Sequence, residues 1–255
     1  GRLAAKLGIE RIIVPADAIA AAGGEISQQL KDDIRFQVSI PSVNSVIAPR
    51  VFQEPGDLEK IRPGYEDAVL GEVETILKKI PADELAIQWD CATELQDAYG
   101  AIGGLDPETM IERNVTQFRR LCTAIPGEVG LGFHLCFGTL GGWPRFAPDD
   151  LSGAVTLANA VIEHSGRRVD WVHLPVLDTS EDSFFAPLAG LMPRGAKIYL
   201  GMIHNMDNFG DRLAVAREYL PEFGLGAFCG FGREPVDTLP QILDDHLKAA
   251  EIAGF

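Results

Sequence analysis

The strongest constraint on this chain is an alternation of short apolar runs with longer amphipathic stretches. Seven runs, Ile12–Pro15, Phe36–Ile40, Leu85–Trp89, Gly130–Leu135, Val169–Leu174, Lys197–Gly201 and Gly224–Phe228, are near-continuously apolar and of strand length. That pattern suits parallel strands covered on both faces. Between them, helical periodicity runs through Asp57–Ile80, Met110–Leu121, Leu151–His164, Gly210–Leu220 and Thr238–Ala253. Asp106-Pro107-Glu108 supplies an N-cap and an N1 proline, and Pro148-Asp149-Asp150 leads into the next helix in the same way. Strand and helix in turn predict a parallel sheet with helices outside. No Gly-rich phosphate loop follows Ile12, which argues against a doubly wound open sheet. The expectation is a (β/α)8 TIM barrel forming one domain over residues 1–255, the usual size for that architecture. Seven strands stand where closure needs eight. The shortfall is assigned to an absent segment, with an open sheet as the alternative.

Composition narrows the partners. A net charge of −15 repels phosphates, so neither nucleic acid nor an anionic membrane surface is expected to bind. No stretch approaches the roughly 20 apolar residues that span a bilayer, and no secretory leader pattern opens the chain. The four cysteines, Cys91, Cys122, Cys136 and Cys229, are too dispersed for a disulfide framework. They fit a reducing compartment and a cytoplasmic location.

In a barrel, reactive groups gather where strands run out at the C-terminal face. Three of the five histidines and three of the four cysteines fall at such points. The third strand ends in Gln88-Trp89-Asp90-Cys91 with Glu94 beyond; the fourth ends in His134-Leu135-Cys136. The fifth carries His173, the sixth leads into His204, and the last into Cys229-Gly230-Phe231-Gly232-Arg233. Two residues apart on an extended strand, His134 and Cys136 point the same way. Imidazole and thiolate are ligands that zinc prefers, and Cys229 could close the site across the barrel mouth. The bland reading is a buried thiol beside a core histidine. For the fourth ligand His173, Asp178 and Glu181 are candidates, as is an open position held by substrate or water. Gln88, Asp90 and Glu94 are placed to meet substrate, although Asp90 also resembles a helix N-cap. His204 with Asp207 is a candidate acid–base pair. Trp143 is read as covering the pocket, and Arg233 in its glycine turn suits an anionic group.

These segments resemble the cobalamin-independent methionine synthase superfamily, in its C-terminal catalytic barrel and the stand-alone proteins like it. The matching stretches are Gln88-Trp89-Asp90-Cys91-Ala92-Thr93-Glu94, Gly132-Phe133-His134-Leu135-Cys136-Phe137-Gly138, Ile203-His204 and Cys229-Gly230-Phe231-Gly232-Arg233. The resemblance implies a TIM barrel whose zinc is held by His134, Cys136 and Cys229 and binds an acceptor thiol as thiolate. It also implies proton transfer at His204 and an acceptor amine near Asp90 and Glu94. Two departures stand out. The family's glutamate ligand falls at Pro175, leaving His173, Asp178, a three-coordinate site or no zinc as alternatives. Trp-Asp-Cys-Ala also replaces the family's Asp-Glu-Pro.

The leading expectation is a zinc-dependent transferase acting on a small thiol acceptor and an alkyl donor, with a methylated folate among the donors considered. Opening of an epoxide by the thiol is a variant of it. The alternatives are a metal-independent barrel of the uroporphyrinogen decarboxylase type and a non-catalytic binding subunit. A homo-oligomer is left open.

Overall fold

The computed structural model describes residues 11–13, 35–47, 56–101, 106–139, 141–204, 206–232 and 234–254. Its sheet holds seven strands: β1 (Arg11–Ile13), β2 (Arg35–Pro41), β3 (Leu85–Cys91), β4 (Gly130–Leu135), β5 (Trp171–Pro175), β6 (Lys197–Ile203) and β7 (Gly224–Ala227). They are ordered β1 to β7 without interruption, and every pairing is parallel. A doubly wound sheet reverses its strand order at a switch point; this one never does. The chain therefore has the β/α alternation of a TIM barrel. Among the described residues no eighth strand occurs and β7 does not pair with β1.

The long helices lie where periodicity places them. They are α2 (Asp57–Lys79), α4 (Pro107–Thr123), α5 (Ser152–His164), α7 (Phe209–Tyr219) and α8 (Leu239–Ala253). Helix α5, however, is preceded by Leu151, which makes no side-chain cap, and not by an acidic cap with an N1 proline. Asp106 caps α4, its carboxylate accepting from Thr109 N–H at 3.0 Å, and Pro107 occupies the first turn, where its missing N–H costs nothing. Three short helices have no periodic signature: α1 (Val43–Val46), α3 (Thr93–Ala98) and α6 (Asp182–Phe185). Asp90 is not the cap of α3. It lies within β3, and the capping position is Ala92. No helix among the described residues is long and apolar enough to cross a membrane.

Strand register sorts the side chains. Val38, Ile87, Trp89, Leu131, Phe133, Val172, Leu174, Ile198 and Leu200 belong to the buried core. Phe133 meets Phe118 of α4 edge to face, with ring centroids 5.0 Å apart. The alternate residues form interior rows. Ser39, Gln88, Gly132 and Trp171 register across β2 to β5, and two residues further on Asp90, His134, His173 and Tyr199 register across β3 to β6. The lower row is a packed floor. Trp171 Nε1–H donates to Gln88 Oε1 at 3.1 Å, and a Cβ on Gly132 would lie 1.8 Å from the indole. Gly132 is thus the space that Trp171 fills. The upper row, nearer the strands' C-terminal ends, is polar.

Candidate metal centre

His134 and Cys136 emerge from the end of β4 on the same side, as a two-residue spacing on an extended strand requires. Cys136 continues the ladder past β4, its N–H donating to Cys91 O at 3.0 Å. Cys229 follows β7 two residues beyond Ala227. Cys136 Sγ and Cys229 Sγ are 3.5 Å apart, and Cys229 Sγ is 3.7 Å from His134 Nε2. The three ligand atoms all lie within 4.8 Å of one another. Zinc with Zn–S of about 2.3 Å and Zn–N of about 2.05 Å in a tetrahedral arrangement sets its ligands about 3.8 Å apart for S···S and about 3.6 Å for S···N. The residues present fit that ion closely, and all four cysteines are free thiols.

The electrostatics point the same way. Hydrogen bonding from Cys136 holds the Cys229 thiol down to about 4 against the effect of burial, with His134 assisting. The same bond, with burial, pushes Cys136 far up. Burial pulls His134 down, but the bond to Cys229 and the charges of Asp90 and Cys229 outweigh it, and the imidazole ends above its usual value. The hydrogen bond between the adjacent thiols, with the imidazole beside them, thus favours thiolate at Cys229, the donor a soft cation needs.

Of the other sequence candidates, His173 stands next to the trio but outside it. Its Nδ1 meets His134 Nδ1 at 2.8 Å, and its Nε2 meets Ala227 O at 3.0 Å, so both nitrogens are occupied elsewhere. Asp178 is paired with Arg212, whose side chain is fully buried. Asp90 neighbours His134 in register, and its Oδ1 accepts from Gln88 Nε2 at 2.9 Å. Burial raises its carboxyl above the usual range, with His134 and Gln88 opposing. Glu94 is fully buried and accepts from Asn44 N–H at 3.0 Å and Ser45 Oγ–H at 2.8 Å. It ties α1 to α3 rather than standing open at the mouth. Ser45 Oγ accepts in turn from the N–H groups of Ala92 and Thr93.

His204 follows β6 and donates from Nε2 to Val176 O at 2.6 Å. Burial lowers its pKa, with that carbonyl opposing. Its ring stacks on Phe228 at 5.0 Å and 4°, and Trp143 packs on the other partners of this group, 4.9 Å from Phe228 and 5.8 Å from Phe137. The sequence reading singled out Trp143 without its partner Phe228, whose only signal is its place directly before Cys229. Asp207 is exposed, on the turn before α7. Arg233 lies outside the described residues. Asp97, which sequence reasoning did not single out, is buried near Glu94 and Arg62, and burial with the Glu94 charge raises it to about 7.

No protein-family model and no curated protein matches the chain. Among solved structures, a Listeria monocytogenes protein provisionally assigned as a vitamin-B12 independent methionine synthase aligns with a TM-score of 0.59 at 19% identity. That alignment covers 89% of this chain but 65% of that one, so the chain spans less than two thirds of its neighbour's length. A xylose isomerase domain protein from Alicyclobacillus acidocaldarius subsp. acidocaldarius aligns over 99% of this chain and 91% of that one, with a TM-score of 0.48 and 11% identity. At such identities the first likeness speaks for the fold, which is the barrel type read from strand order.

Proposed function

We infer that the chain is a zinc-dependent transferase that activates a thiol acceptor for alkyl, and in the first instance methyl, transfer. The observation that carries this reading is the convergence of His134, Cys136 and Cys229 at tetrahedral ligand spacing, with no fourth protein donor joining them among the described residues. Three ligands with one position left over is the pattern of catalytic rather than structural zinc sites. The resemblance of the surrounding segments to cobalamin-independent methionine synthases supports the same reaction class.

Zinc held there would lower the pKa of an incoming thiol, so that it is available as thiolate at neutral pH. The remaining work falls to the chain. Asp90, held by Gln88 beside His134, offers a buried carboxyl to a cationic group of the acceptor. Phe228, next to Cys229 in the chain, carries the ring stack with Trp143 and His204 and gives the centre an apolar neighbour. With Nε2–H committed to Val176 O, the neutral His204 ring carries its lone pair on Nδ1, which can take the acceptor's proton. The sulfur–carbon bond then forms as the donor's bond to the alkyl carbon breaks, the electron pair leaving with the donor.

The test is the metal content of the purified protein beside a His134→Ala, Cys136→Ala variant. About one zinc per chain, lost in the variant, is expected. Zinc absent from both, even after reconstitution, overturns the reading and turns attention to metal-independent chemistry.

A further inference from the structure

We propose that His173 is a positioning residue for the metal centre, fixing the tautomer and orientation of His134 and tying that ligand to the strand that delivers Cys229. The functional consequence rests on the zinc reading; the hydrogen-bond assignment does not.

The assignment follows from what each atom can do. A carbonyl oxygen only accepts, so the 3.0 Å contact between His173 Nε2 and Ala227 O places the hydrogen on Nε2. With its Nε2–H given to that carbonyl, and no carboxylate among the described residues bonded to the ring to hold a second proton, His173 presents Nδ1 as a bare acceptor. The 2.8 Å contact between the two Nδ1 atoms needs one hydrogen, and His134 must supply it. His134 Nε2 is then the nitrogen turned toward Cys229, 3.7 Å away. This direction holds whether His134 is neutral or charged, because Nδ1 carries a hydrogen in both forms.

The slot that holds His173 is built for a ring. A Cβ on Gly201 would lie 2.6 Å from His173 Cε1, and one on Gly226 would lie 3.0 Å from Nε2. Glycine on β6 and on β7 therefore lets the imidazole seat against both strands. Ala227 lies two residues before Cys229, so the bond to its carbonyl sets the height of β7 against β4. The relay runs β7 carbonyl, His173, His134, metal position. Metal-bound histidines characteristically have such a partner on the far nitrogen, and its loss costs about 10–100-fold in affinity.

Two variants and one spectrum test this. His173→Phe keeps a ring in the glycine slot but removes both hydrogen bonds; His173→Gln offers one acceptor and one donor at similar reach. Zinc affinity, measured by competition with a chromophoric chelator, is expected to fall about 10–100-fold in the Phe variant and to recover largely in the Gln variant. Histidine 15N–1H correlation spectra of the wild-type protein, metal-free and zinc-loaded, should show His134 protonated on Nδ1 and His173 protonated on Nε2 alone. Wild-type affinity in His173→Phe would overturn the proposal. So would a proton on His173 Nδ1, or a zinc-shifted His173 nitrogen that makes it a ligand. Failure of wild-type protein to bind zinc would sink the metal reading alone, since the proton positions in the metal-free protein decide the relay independently.

Discussion

Gly132→Ala puts the inward register of β4 to a direct test. An added Cβ would stand 1.8, 2.2 and 2.3 Å from three atoms of the Trp171 indole. Ordinary carbon contacts begin near 3.5 Å, so the ring must retreat by about 1.7 Å or more. Trp171 is 3% exposed, and its Nε1–H is engaged by Gln88. Overpacking of a filled interior costs about 1–3 kcal/mol, and stranding the buried indole N–H and amide oxygen adds about 1–3 kcal/mol. The sum is about 2–6 kcal/mol, a fall in melting temperature on the order of 10 °C for a chain of this size. Urea unfolding followed by tryptophan fluorescence measures it. Adding Trp171→Val should return part of the loss, with a coupling energy of about 1–3 kcal/mol. A Gly132→Ala protein within about 0.5 kcal/mol of wild type would refute the reasoning. Residue 132 would then face the helices, and His134, on the same side of β4, would lie outside the barrel.

Two further predictions concern titration. In metal-free protein, Cys229 remains largely thiolate down to about pH 4. Its alkylation by iodoacetamide, followed by peptide mass spectrometry, should vary little between pH 5 and 8, where an ordinary thiol gains about tenfold per unit. A tenfold-per-unit rise at Cys229 would contradict the thiolate assignment. Asp97 is raised from 3.8 to about 7 on folding, by burial first and then by Glu94. The folded state therefore keeps a proton that the unfolded chain releases, and stability attributable to Asp97 is full below pH 3.8 and declines as pH rises toward 7. Partial solvent screening holds the effect to about 1–2 kcal/mol. Asp97→Asn should remove that decline, seen as a wild-type-minus-variant difference in stability that grows as pH falls from 7 toward 4; a difference constant from pH 4 to 7 would contradict it.

Much of the fold was legible because parallel strands bury both faces and write themselves as apolar runs. The capped helix at Asp106-Pro107 was legible for a different reason: its start is local chemistry. Helices α1, α3 and α6, four to six residues long, are too short for a period to register. The convergence of His134, Cys136 and Cys229 was partly legible. The two-residue spacing of His134 and Cys136 implies a shared direction, and the position of Cys229 after the last strand implies reach. The part played by His173 was not legible, because spacing cannot tell which ring nitrogen faces which neighbour. Glu94 illustrates the same limit, since its partners Asn44 and Ser45 lie 50 and 49 residues away in the chain. The fit of Trp171 into the space left by Gly132 is likewise a three-dimensional complement that no local pattern announces.

Because each strand pairs with its neighbour in sequence, the sheet can be laid down in the order in which the chain is made. The metal trio breaks that locality. Cys136 and Cys229 are 93 residues apart, so the three donors come together only once β7 has docked. A cation that binds the finished barrel and not its precursors stabilises the finished state by about 4 kcal/mol at a thousandfold excess over its dissociation constant. A chain stopped short of Cys229 keeps two of the three donors and gains little of that increment. Metal loading would thus act as a proofreading step on assembly, rewarding only chains in which β7 and the Cys229 segment after it are in place.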